Sequence, residues 1–241
     1  MTQDKRGLDS WDELYIRRRS RRVPAYIFEH FAKALQAHLG SLRGAKVLEI
    51  AAGSGATSLS IAAQGAVVVA LDKSNEAIRT MRQTISGRIG GSIHAARGDA
   101  LVLPFRDACF DSVFHQGFLE HFSDPTKLLR EQYRVLRSGG LIMVQVPQTF
   151  NVYTVFKKAL ITLRRWPYGQ WETQFSRGAI ERLLRSVGFT VQRSYGFGSF
   201  RRALVRRLGF SIPLHRETSS KLLQRWRLYT AIDICTLAVK P

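Results

Sequence analysis

A chain of 241 residues with 45% hydrophobic content is long enough for one large domain, or a domain with a small cap, around a real core. Its 37 Lys and Arg against 18 Asp and Glu give a formal charge of +19, which favours anionic partners such as nucleic acid, acidic lipid or a phosphorylated metabolite. The longest apolar runs, Ala66–Leu71 and Leu141–Val144, are too short to span a bilayer, and two cysteines, Cys109 and Cys235, in no metal-ligand spacing argue against a disulfide framework or a zinc site.

In chain order, Ser10-Trp11-Asp12-Glu13 reads as a capping box that opens a helix. The charged start carries no secretory signal, so the cytoplasm is the expected compartment. Arg17, Arg18, Arg19, Arg21 and Arg22 follow, and Pro24 suits the first turn of a second helix. Tyr26, Ile27, Phe28, Phe31, Leu35 and Leu39 recur at helical spacing up to Gly40. After Gly44 the pattern becomes an alternation of strand and helix. Strands are predicted at Lys46–Ile50, Ala66–Leu71, Ser92–Ala96, Ser112–His115 and Leu141–Val146, with helices at Thr57–Gln64, Asn75–Ser86 and Pro125–Arg137. A helix at Ser176–Val187 and strands at Thr190–Ser194 and Thr230–Val239 complete the chain. This order predicts an α/β fold of parallel βαβ units with helices on both faces.

Ligands of such sheets bind beyond the carboxyl ends of the strands, where the strand order reverses. The first strand leads into Glu49-Ile50-Ala51-Ala52-Gly53-Ser54-Gly55-Ala56-Thr57. Its glycines permit a tight turn and let a ligand approach the main chain. Gly53-x-Gly55 also fits a nicotinamide-binding loop, except that Ser58 stands where a third small glycine is wanted. Asp72 ends the second strand, 19 residues beyond Gly53, where a carboxylate can accept both hydroxyls of a ribose. Asp99 follows the third strand in Gly98-Asp99-Ala100, placed to take an exocyclic adenine amine. Each Asp alone is an ordinary turn or cap residue; distinctive residues at three consecutive strand ends point to a nucleotide-like ligand.

Residues 47–147 resemble a class I S-adenosylmethionine (SAM)-dependent methyltransferase, of the type 11 group that includes ubiquinone and menaquinone biosynthesis enzymes. The resemblance runs through Val47–Gly55, Leu71-Asp72-Lys73-Ser74, Gly98–Phe105, Phe110-Asp111-Ser112-Val113, Glu120-His121-Phe122-Ser123-Asp124-Pro125 and Arg134–Gly140, in order. It implies a Rossmann-like, mostly parallel seven-stranded sheet whose last strand is antiparallel. It implies an N-terminal helical cap over residues 1–44 and a SAM-binding methyltransferase domain over residues 45–241, with a basic cap insertion at about 148–175 and a basic segment at about 199–227. It assigns the methionine part to Glu49, Ala51, Gly53, Ser54 and Gly55, the ribose to Asp72, and adenine to Asp99 and Ala100, with Lys73 as a further cofactor-binding residue. His115 and Gln116 are placed beside the sulfonium. Where Ala51 stands the family usually has glycine; the added methyl is expected to be tolerated.

Methyl transfer from a sulfonium needs mainly binding and alignment, because the cofactor brings its own leaving group. A base is needed only where the acceptor must lose a proton. His115, at the carboxyl end of the fourth strand, is the first candidate and His121 the second. Neither an Asn/Asp-Pro-Pro-aromatic tetrapeptide nor a cysteine follows the fourth strand, which argues against methylation of base amines or of cytosine carbon-5. Phe150–Trp166 reads as a basic amphipathic helix with Lys157, Lys158, Arg164 and Arg165 on one side, able to cover a pocket or lie in a membrane interface. The aromatic turn Trp166–Trp171 and the arginines from Arg201 to Arg227 continue this region. Residues 157–227 hold 16 basic against 3 acidic residues. A small-molecule or lipid-linked acceptor, with peripheral contact to an anionic membrane, is the leading reading. An RNA or protein methyltransferase and a non-catalytic SAM-fold binding protein are the alternatives.

Overall fold

Short β-branched segments alternating with amphipathic helices build a seven-stranded sheet in the computed structural model, which describes residues 12, 15, 16, 25–85, 92–149, 154, 162, 163, 173–198 and 231–241. The elements are α1 (Ala25–Leu39), β1 (Lys46–Ile50), α2 (Ala56–Ala62), β2 (Val67–Asp72), α3 (Asn75–Ile85), β3 (Ser92–Arg97) and β4 (Phe110–Gln116). A 3₁₀ turn at Leu119–His121 leads to α4 (Thr126–Val135), β5 (Leu136–Pro147), α5 (Arg177–Val187), β6 (Thr190–Phe197) and β7 (Asp233–Val239). The strand order is β3-β2-β1-β4-β5-β7-β6. Strands β1 to β5 pair in parallel, and β7 runs antiparallel to both β5 and β6. The doubly wound sheet with an antiparallel last strand is thus as the sequence implies. Its order reverses between β1 and β4, which opens a crevice beyond their carboxyl ends.

Side-chain alternation along each strand divides the interior into two cores. Leu48 and Ile50 of β1 and Val113 of β4 face the core under α4 and α5, with Leu128, Leu129, Ile180 and Leu184. Val47 and Phe114 face the other core, with Phe31 and Leu35 of α1 and Ile61 of α2. Phe31 and Phe114 meet with ring centroids 4.9 Å apart, so α1 shares a core with the sheet. The same alternation turns Glu49 toward α2, where a polar partner must meet it.

The helix expected to run to Arg137 stops at Val135. Leu136 is extended (φ −79°, ψ 134°) and fully buried, pairing with Phe110 at the start of β5. Its apolar side chain prolongs the helical pattern of Leu128, Leu129 and Val135, so periodicity alone overshoots. Arg137 instead pairs with Asp111 across the sheet, at 2.5 Å. Likewise α2 ends at Ala62, two residues short of Gln64, as the chain turns through Gly65 at φ +94°. Arg134, near the end of α4, donates to the carbonyls of Phe105 (2.8 Å) and Leu103 (3.0 Å) and pairs with Glu131 and Asp107. This fixes the loop that follows Asp99. Cys235 is buried and Cys109 half-buried, both unbridged. The capping box of Ser10 and Glu13, Pro24, the basic helix and aromatic turn proposed after β5, and the arginines from 201 to 227 lie outside the described residues. Among the described residues, no helix is long and apolar enough to cross a membrane, and no acidic, histidine and cysteine group is arranged to hold a metal.

Candidate active site

The ends of β1, β2, β3 and β4 converge on a cleft of about 180 Å³ at the reversal of strand order. The loop after β1 forms its floor. Ala51, Gly53 and Gly55 all have positive φ, of 56°, 56° and 71°. For Ala51 that conformation costs about 1–2 kcal/mol relative to the right-handed one, which is why glycine is the family's habit there. Ala51 and Gly53 line the cleft. A methyl on Gly53 would stand 3.6 Å from the ring of Tyr15, an ordinary contact, so its left-handed backbone rather than lack of space calls for glycine. Gly55 serves the packing of a helix instead. A Cβ there would lie 2.8 Å from Met81 Cγ, so its absence lets α3 come close. Gly55 and Ser54 do not line the cleft.

Asp72 is aimed by backbone. Gly53 N–H donates to one carboxylate oxygen and Ser74 N–H to the other, both at 2.9 Å. Each oxygen retains a further acceptor direction for a ligand hydroxyl. Burial pushes the Asp72 carboxyl up, against the pull of those N–H groups. Ser74 caps α3 by accepting from Ala77 N–H (3.1 Å) and donates its hydroxyl to Asp12. That contact ties the N-terminal segment, with Tyr15, to the wall of the cleft.

Asp99 accepts from Leu101 N–H at 2.9 Å and pairs with Lys73 at 3.0 Å. Burial raises its carboxyl, but the Leu101 N–H and Lys73 outweigh that and hold it below the usual range. Lys73, at the end of β2, thus reaches across the cleft wall to Asp99 after β3. Ala100 also lines the cleft.

At the end of β4 two expected neighbours part company. Gln116 lines the cleft. His115 does not: the pleat turns it inward, fully buried, 6.0 Å from the ring of Phe118. Neither of its ring nitrogens has a hydrogen-bond partner among the described residues. Burial drives its pKa down to about 3, so it stays neutral at physiological pH. His121, in the 3₁₀ turn, does line the cleft, between Phe118 and Phe122. Glu49 is also absent from the lining. It is buried, accepting from Ser58 N–H at 3.0 Å and Ser58 Oγ–H at 2.5 Å. Burial raises its pKa to about 7 against those hydrogen bonds.

The structure thus gathers Ala51, Gly53, Asp72, Lys73, Asp99, Ala100, Gln116 and His121 around one cleft, and leaves Glu49, Ser54, Gly55 and His115 behind its walls. Sequence reasoning missed Tyr15, Ser74, Phe118 and Phe122 as lining. Ser74 had a signal, a cap serine directly after the strand-end carboxylate. Tyr15 had none, because the Asp12–Ser74 contact that ties its segment to the cleft wall spans 62 positions and leaves no local pattern.

Carboxylates held by backbone at one end, an open glycine turn in the middle and an aromatic end beyond β4 fit a nucleoside that carries an amino-acid tail. Together with the doubly wound sheet they define the class I, Rossmann-like fold of methyltransferases. Residues 48–144 match the methyltransferase domain of the type 11 group. Its cofactor is S-adenosylmethionine. The chain is 35% identical over 123 residues to a demethylmenaquinone methyltransferase of Clavibacter sepedonicus, covering 48% of this chain and 49% of that protein. It is 36% identical over 110 residues to a ubiquinone/menaquinone biosynthesis C-methyltransferase of Idiomarina loihiensis, covering 44% and 43%. The chain spans about half the length of the curated relatives it matches. Among solved structures, the magnesium protoporphyrin IX methyltransferase of Synechocystis with bound S-adenosylhomocysteine superposes with a TM-score of 0.62 at 18% identity, covering 90% of this chain and 83% of that one.

Proposed function

We propose that the chain transfers the methyl group of S-adenosylmethionine to a small, apolar, ring-bearing acceptor of the hydroquinone kind. The observation that carries this reading is the aromatic end of the cleft, where Phe118, His121 and Phe122 stand beyond Gln116, away from the carboxylates. Flat apolar walls suit an aromatic acceptor, and relatives named for quinone biosynthesis support the same class. The cofactor supplies an activated methyl group on a sulfonium. Asp72 and Asp99 hold its nucleoside, the Ala51–Gly53 turn admits its tail, and the aromatic walls exclude water from the acceptor face. His121 is the residue placed to take the proton that a hydroquinone loses on methylation. His115, buried and without access to the cleft, is not.

Methyl-labelled SAM offered with a short-chain hydroquinone, total RNA and a protein extract tests the reading. Label in the organic extract, lost in His121→Ala, supports it. Label in RNA or protein would instead assign the acceptor through the basic stretch of residues 157–227, whose charge favours a polyanion. Tight binding of SAM without turnover toward any acceptor would leave a binding protein. The same basic stretch supports a cytoplasmic chain working at the surface of an anionic membrane, where a lipid-linked acceptor resides.

A further inference from the structure

Gln116 is the side chain through which the buried Glu49 reaches the cleft. Gln116 Nε2 donates to Thr57 Oγ1 at 2.8 Å and lies 3.4 Å from Glu49 Oε1. An ionised carboxylate accepts only, so a Gln116 amide facing it must turn its NH₂ inward. That leaves the carbonyl oxygen as the group Gln116 shows to the cleft, at the point where β4 meets the glycine turn of β1. A bare carbonyl there takes a donor and rejects an acceptor.

We infer that Gln116 receives the ammonium group of the cofactor's amino-acid tail, and that Glu49 is a positioning residue that sets which end of the Gln116 amide faces it. This rests on the cofactor reading above but gives Glu49 a role other than direct contact with the tail. When Glu49 takes up a proton it becomes a donor, and the Gln116 amide loses its reason to keep NH₂ inward. The NH₂ can then turn into the cleft, where it opposes a cation. Burial places that exchange near neutrality, about pH 7. Ser58 faces Glu49 from α2 with its hydroxyl and N–H, Gln116 faces it from β4, and the charge of Asp72, at the end of β2, also acts on it. Asp72 is negative and raises Glu49 further; the cofactor's cation acts in the opposite sense. Binding should therefore release a proton from Glu49, and affinity should rise with pH through the neutral range and level off above it.

Titration calorimetry on the full chain with S-adenosylhomocysteine, which keeps the ammonium, tests this from pH 6 to pH 8. 5′-Methylthioadenosine, which lacks the amino-acid part, is the reference ligand. The native chain is expected to bind S-adenosylhomocysteine about tenfold more tightly at pH 8 than at pH 6, the limit for one proton whose pKa falls on binding. Glu49→Gln should bind at pH 8 about as weakly as the native chain does at pH 6, with no pH dependence. Gln116→Leu should lose roughly tenfold in affinity, the scale of one charge-assisted hydrogen bond. Methylthioadenosine should bind both variants and the native chain alike at every pH, which also shows that the variants are folded. The inference is overturned if Glu49→Gln keeps the native pH dependence, if Gln116→Leu binds S-adenosylhomocysteine normally, or if methylthioadenosine weakens in parallel. Failure of the native chain to bind either ligand would remove the cofactor reading itself.

Discussion

The two ends of the cleft are built by different means. At the proposed nucleoside end, Asp72 and Asp99 are held by backbone N–H groups of Gly53, Ser74 and Leu101, with Lys73 as a side-chain partner of Asp99. Their aim is fixed by the turns that end β2 and β3 and changes little with surrounding side chains. At the proposed transfer end, Phe118, His121 and Phe122 lie in and on either side of a short 3₁₀ turn and present aromatic rings rather than charged groups to the cleft. On the proposed reading, the contrast teaches that recognition of the cofactor lies in strand ends, whereas the choice of acceptor lies in the short segment after β4.

The sharpest way to break that contrast is at His121. His121→Ala is expected to lower kcat by roughly 10²-fold or more if the acceptor loses a proton there, the lower range for a general base, while the Kd for S-adenosylhomocysteine changes by less than about threefold. His115→Leu should do the opposite: kcat unchanged, and unfolding in urea shifted toward greater stability by about 1–3 kcal/mol. An unpartnered imidazole buried in an apolar core carries a desolvation cost that leucine does not. At the nucleoside end, Asp72→Ala is expected to weaken S-adenosylhomocysteine by about 30- to 100-fold in calorimetry, on the order of one lost hydrogen bond to a charged group plus a slackened loop.

A smaller effect separates the buried groups by pH. His30 and His115 are driven down to about 4 and about 3 by burial, so the unfolded chain binds more protons there below its ordinary pKa of 6.5. Each histidine adds stability as pH rises toward 6.5, by about 1.4 kcal/mol per unit. Glu49, raised from 4.5 to about 7, works in reverse and takes the same amount away as pH rises between those values. Between pH 4.5 and 6.5 one histidine is thus offset. His115→Leu should flatten the rise of stability with pH in that window, and Glu49→Gln should steepen it, as read from urea midpoints. The smallest effect belongs to the turn after β1. Ala51→Gly removes a left-handed strain but adds freedom to the unfolded chain, for a net gain of about 0.5 kcal/mol in the same assay.

Much of the sheet was legible because β-branched runs such as Val67–Leu71 and the turn glycines that follow them are local signals. The strand-end carboxylates were legible for the same reason, since their distance from the glycine turn is set by one βαβ unit. What local pattern could not show is the direction of a pleat. His115 and Gln116 are neighbours in sequence, and only the strand's alternation sends one into the core and the other into the cleft. Glu49 shows the same limit: a carboxylate beside the glycine turn reads as a ligand contact, whereas the turn of β1 points it at Ser58 and out of the lining. Tyr15 lines the cleft and Asp12 accepts from Ser74 on its wall, contacts from the N-terminal segment that no local window of residues contains.

The position of β7 has a consequence for how the molecule is assembled as it leaves the ribosome. Strand β6 touches the sheet only through β7, which slots in last between β5 and β6. The five parallel strands that frame the cofactor cleft are complete once β5 has emerged, while its outer edge stays unpaired until residues 233–239 arrive. During that interval a nascent chain already owns the strand ends proposed to hold the nucleoside and an open strand edge at once. Cofactor captured at that stage would steady the half-built sheet while it awaits the strand that closes it.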